Sequence, residues 1–129
     1  MPTYLTPSRI ARPQSRYSHG VVHSLSGRRL VIAGQVGVKP DGSLAEGLEA
    51  QMVQAWENLL AVVAGARMEP KDLVKVTAFV TVHGSVLLHR AVRDRMLGDH
   101  APASTYLEVE GLARPEFLFE VEGEAVRES

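Results

Sequence analysis

The spacing of apolar positions changes repeatedly along the chain, and each change marks an element. YSHGVVHS (17–24) and RRLVIAGQV (28–36) are rich in β-branched residues and separated by LSG. They read as two strands joined by a tight turn. KPDGS (39–43) follows with Pro and Asp-Gly turn chemistry. Ser43, with Glu46 three residues on, fits a capping box that would open a helix. Leu44, Leu48, Met52, Ala55, Leu59, Val62, Val63 and Ala66 then keep a helical period for more than five turns.

After EPKD (69–72) the period drops to two. Val74, Val76, Ala78, Val80 and Val82 form an apolar face, and Leu73, Lys75, Thr77, Phe79 and Thr81 a mixed one. Ser85 is placed to cap a second helix carrying Leu87, Leu88, Ala91, Val92 and Met96, with Gly98 as its stop. Strands near 104–110 and 117–126 close the chain. The passage from 73 to 110 is long enough for a parallel crossover. The expected order is β-β-α-β-α-β-β, an α+β fold whose mixed β-sheet carries two helices on one face. The other face, half apolar and half polar on the 73–82 strand, predicts closure by further copies of the chain around a partly wet interior.

Composition narrows the class without naming a function. The 129 residues, 45% apolar and 22% charged, fit one soluble domain. No apolar run approaches 18 residues, so no membrane span is expected, and the first twenty residues lack the apolar core of a secretory signal. With no cysteine, thiolate catalysis, disulfides and Cys-type zinc sites are excluded. A cytoplasmic location is the expectation. The net charge of −1 is unevenly spread: residues 1–40 hold Arg9, Arg12, Arg16, Arg28, Arg29 and Lys39 and no acid. These arginines are dispersed rather than run together, which favours pairing with the acidic C-terminal strands over nucleic-acid binding.

Few residues present themselves for chemistry. Glu120 and Glu122 alternate with Phe119 and Val121, so both carboxylates share the face away from the aromatics. There they would hold a water, act as a general base, or simply meet solvent or arginine. Tyr17 and His19 share a face of the first strand, where either could donate to a bound carbonyl or serve the strand end structurally. His19 and His23 also lie on one side, but no third ligand accompanies them, and a metal site is disfavoured. AGQVGV (33–38) lacks phosphate-loop spacing and reads as a strand end needing close backbone approach. Asn58 is expected to bond a neighbouring backbone, and Trp56 and the methionines to sit in the core. No Ser-His-Asp order or nucleophile elbow occurs.

Taken in order, YSHG, AGQVGVKPDG, QMVQAWENLLAVVAGA, VKVTAFV, APAS and FEVEGEA resemble the reactive intermediate deaminase (Rid, YjgF-like) family from about Pro13 to Val126. The resemblance implies one Rid-like domain over 1–129, residues 1–12 being a flexible or partner-contacting arm. It also implies a chorismate-mutase-like fold, assembly as a homotrimer, and small-molecule pockets at the subunit interfaces. The implied chemistry is hydrolysis of enamines and imines to a 2-oxo acid and ammonia, without cofactor or metal. Carried over position by position, Tyr17 and Glu120 match the catalytic tyrosine and glutamate, and Gly34-Gln35 match the Gly-Gln pair. Ala33 stands where the family has a serine. Ser104 stands where an arginine clamps the substrate carboxylate. Loss of such a bidentate contact costs on the order of a hundredfold in efficiency, so an efficient 2-iminopropionate deaminase is not expected. Arg16, which precedes Tyr17, and Arg114, before the last strand, are the candidate substitute cations, with ordinary surface arginines as the alternative for both. The alternatives are a trimeric small-molecule binding or regulatory protein that has lost turnover and, less favoured by the charge, an RNA-acting translation inhibitor.

Overall fold

The computed structural model describes residues 2–128. In chain order its elements are β1 (Thr3–Leu5), β2 (Gly20–Val22), β3 (Arg28–Val36), α1 (Leu48–Gly65), β4 (Leu73–Val80), α2 (Val86–Leu97), β5 (Ala103–Glu108) and β6 (Phe119–Arg127). The main sheet has the order β3-β6-β4-β5, with β4 and β5 parallel and the other pairs antiparallel. This is the expected α+β architecture: a mixed sheet with α1 and α2 packed on it. Among the described residues no helix is long and apolar enough to cross a membrane.

Period-2 patterning sets the faces. Val76, Ala78 and Val80 of β4 and Phe119, Val121 and Ala125 of β6 are buried under the helices, while Lys75, Thr77 and Phe79 are only half-buried on the far side. Trp56, Met52, Leu59 and Val63 of α1 complete the core. Full burial of a side chain such as Phe119 contributes roughly 1.5–3 kcal/mol. Asn58 donates from Nδ2 to the carbonyls of Val36 (3.0 Å) and Val38 (2.9 Å), tying α1 to the end of β3.

Four local expectations are corrected. The first is the 17–36 hairpin: β2 pairs antiparallel with β1, and β3 pairs with β6 instead. The 17–24 segment is split between two partners, because Ser18 is drawn to β5. Its N–H donates to the Pro102 carbonyl at 3.1 Å, its hydroxyl to that of Ala101 at 2.6 Å, and it bridges Ala103 in parallel. The second is the start of α1. Ser43 gives its hydroxyl and N–H to Asp41, Leu44 bridges back to Val38, and the helix begins only after Gly47, whose φ of 89° suits glycine.

The third is the inward face of α2. Leu87 and Ala91 are exposed, and the buried residues are His89, Val92, Arg93 and Leu97. The apolar run Leu87-Leu88 disguised the true stripe, which includes two polar residues one turn apart. The fourth is the cap of α2: Ser85 occupies the N-cap, but its hydroxyl donates back to the Val82 carbonyl at 2.7 Å rather than into the helix.

Candidate functional site

The matched residues fall into two groups at opposite edges of the sheet. On the face away from the helices, Glu120 points out of β6 beside β3. The β3–β6 register breaks between Ile32 and Gln35, so Ala33 and Gly34 form a bulge. The Glu120 side chain lies across that bulge: a Cβ on Gly34 would collide with its carboxylate and Cγ. Gly34 is therefore required by close approach, and the bulge is what gives the carboxylate its seat. Gln35 folds onto its own strand, donating from Nε2 to the Ala33 carbonyl at 3.0 Å. The next acid along this face but one, Glu124, pairs with Arg29, as expected of the basic N-terminal third. The Glu120 carboxylate has no hydrogen-bond or ion-pair partner among the described residues.

The second group gathers around the β5 edge. Ser104 is the register partner of Val76 and Tyr106 that of Ala78, so both face the helices. Tyr17 is held beside this edge through its neighbour Ser18, and its ring meets that of His19 edge-on at 5.8 Å. His19 donates from Nε2 to the Ala11 carbonyl at 2.7 Å, and the His23 ring is turned to the Ser24 carbonyl. Among the described residues no three His, Asp or Glu side chains come together to hold a metal.

Sequence reading missed the residues behind Ser104. Arg93, only 4% exposed, reaches from α2 with Nη1 3.4 Å from the Ser104 hydroxyl and Nη2 3.3 Å from that of Ser15. Its Nε donates to Asp94 at 3.1 Å. Next to it His89 is enclosed by Trp56, Tyr106 and Phe119, with ring centroids 6.0, 5.7 and 5.4 Å away. Burial, helped by Arg93 and Arg90, pushes the imidazole down to about 3. It is therefore neutral and accepts from the Trp56 indole N–H at 3.4 Å. Tyr106 donates to Glu108 at 2.7 Å, and burial together with that bond pushes the phenol up to about 12. The available signal was the four-residue spacing of His89 and Arg93 in a helix that otherwise needed an apolar face.

Neither proposed substitute cation is free beside Ser104 within the chain. Arg16 donates from Nη1 to the Gly98 carbonyl at 2.6 Å, closing the C-terminal end of α2. Arg114 rests over the Phe117 ring at 5.9 Å. It lies past the end of β4, where Thr81 bonds Leu118, whereas Ser104 sits beside Val76. Five residues of strand separate these levels, roughly 16 Å.

The Endoribonuclease L-PSP family model matches residues 8–127. The chain belongs to the Rid (YjgF-like) family. This Rid protein is 32% identical over 105 residues to the 2-iminobutanoate/2-iminopropanoate deaminase of Salmonella typhimurium, a match covering 78% of this chain and 81% of that one. It is 38% identical to a RutC family protein of Aquifex aeolicus, but over 53 residues only, 42% of that protein's length. A crystal structure of a Rid-family protein of unknown function from Yersinia pestis superposes with a TM-score of 0.85 at 32% identity, covering 98% of both chains. The two helices on a mixed sheet are thus the family fold.

Proposed function

We propose that this Rid protein is a cofactor-independent hydrolase of an imine, enamine or related C–N bond in a small metabolite. The site is completed between the subunits of a cytoplasmic homotrimer. The observation that carries this reading is the seating of an unpaired Glu120 carboxylate over the Ala33–Gly34 bulge. The separation of the matched residues within one chain supports a site shared between copies. Gly34 lies on one edge strand and Ser104 on the other, three strand spacings or roughly 14 Å apart. Glu120 and Ser104 also face opposite sides of the sheet. A small molecule can meet both groups only if the β5 edge of one copy abuts the open face of another.

In that pocket Glu120 takes a proton from water as its oxygen bonds to the imine carbon, and Tyr17 donates to the nitrogen. The carbinolamine then collapses to a carbonyl and ammonia. The named activity of the Salmonella relative supports the reaction type. Ser104 in the clamp position argues against short 2-imino acids as the preferred substrates.

Ammonia release from 2-iminopropionate generated in solution tests this. The natural protein is expected to be at least a hundredfold less efficient than its Ser104→Arg variant. If both proteins are inert, and Glu120→Ala alters ligand binding alone, the protein is a binder and the hydrolase reading is lost.

A further inference from the structure

Arg93 is a buried cation whose terminal nitrogens have only neutral partners among the described residues. Of its nitrogens only Nε meets a carboxylate, that of the adjacent Asp94. The two terminal nitrogens face neutral hydroxyls at 3.3 and 3.4 Å, longer than the roughly 2.7–2.9 Å of charge-assisted bonds. Burying a guanidinium against such partners is costly unless an anion completes the site. Arg16 is next in sequence to Ser15, and Arg12 lines a cavity of about 600 Å³ formed by the N-terminal arm, whose lining also includes Thr6, Ile10 and Ser15. Ser15, whose hydroxyl meets Arg93, is thus also part of that cavity's lining.

We infer that Arg93 supplies from α2 the anion clamp that β5 lacks, binding a ligand carboxylate end-on through Nη1 and Nη2, with the Ser15 and Ser104 hydroxyls turning to donate to it. This rests on the reading of the β5 edge as half of a ligand pocket. A carboxylate fits better than a phosphate dianion. With Nε paired to Asp94, the two coplanar nitrogens match two oxygens and less than one full charge is left to neutralise. Sitting behind Ser104 rather than projecting from it, the fork anchors the carboxylate away from the open sheet face that presents Glu120. The matching ligand is an acid whose C–N bond lies several bonds from the carboxylate, longer than a three-carbon imino acid.

The probe is 5-oxohexanoate, a stable keto acid, titrated calorimetrically against its methyl ester and inorganic phosphate. The acid should bind and the ester should not. Arg93→Met should weaken the acid on the order of a hundredfold and Arg93→Lys less, since the lysine keeps the charge without the fork. Arg93→Met/Ser104→Arg should recover much of the loss. That rescue separates ligand binding from a purely structural tie between arm and helix, which would lower the melting temperature of Arg93→Met without moving its affinity for the acid. No acid binding, undiminished binding in Arg93→Met, or phosphate binding more tightly than the acid each overturns the assignment. Acid binding that depends on Arg93, with no ammonia released from any imine, keeps this assignment and removes the hydrolase reading. Imine hydrolysis indifferent to Arg93 does the reverse.

Discussion

His89 shows how one side chain's surroundings become a property of the whole protein. The folded imidazole is held to about 3 by burial and by Arg93 and Arg90, below its ordinary 6.5. The unfolded chain therefore takes up a proton below pH 6.5 that the folded chain refuses until about pH 3. The sign follows: the contribution is full above pH 6.5 and is lost as pH falls toward 3, by up to about 1.4 kcal/mol per pH unit. Urea midpoints at pH 7 and pH 5 should fall apart less in His89→Gln, which keeps an acceptor for the Trp56 indole, than in the natural protein. An equal fall in both would show that His89 is not the source. At this scale motif order alone named Tyr17, Glu120 and Ser104 as candidates. Arg93 could not, because its meaning lies in Ser15 and Ser104, far away in the chain and close to it only when folded.

Between elements, the tightest constraint is the approach of α1 to the end of β3. A Cβ on Gly37 would come within 2.6 Å of the Gln51 Cα and 2.9 Å of its carbonyl oxygen, so helix backbone would have to move. Gln51 in turn donates to the Glu116 carbonyl and accepts from the Leu118 N–H, which fixes the entry to β6. Gly37→Ala should therefore cost about 1–3 kcal/mol in denaturant unfolding. Gly111→Ala, which meets nothing within 4 Å, should stay within about 0.5 kcal/mol. The need for close approach at AGQVGV was legible in the sequence. The rotated face of α2 was not, since Leu87 and Leu88 are adjacent apolar residues and either could have led the buried stripe.

At the level of the whole molecule, the open sheet face is the unfinished part. Val31 on β3 is 63% exposed and Leu107 on β5 is 44% exposed, with half-buried Phe79 between their strands. On the same face Lys75, Glu122 and Glu124 stand between them, a mixed surface that fits closure by further copies around a partly wet interior. Native mass spectrometry should find the homotrimer, three times the 14.0 kDa chain, and Phe79→Glu should dissociate it and abolish any hydrolysis. A natural protein that stays monomeric at micromolar concentration would remove the intersubunit site.

The chain's own pattern determined the order of the principal elements, the two faces of β4 and β6, the core around Trp56, and the family with its matched Tyr17, Glu120 and Ser104. These are properties of local period and motif order, which survive without knowing what lies opposite. Tertiary structure decided which strand β2 pairs with, where α1 starts, how the Ala33–Gly34 bulge seats Glu120, and that Arg93 stands behind Ser104. Each of these depends on partners remote in sequence, and only the packed sheet and helices select among the partners a local pattern permits.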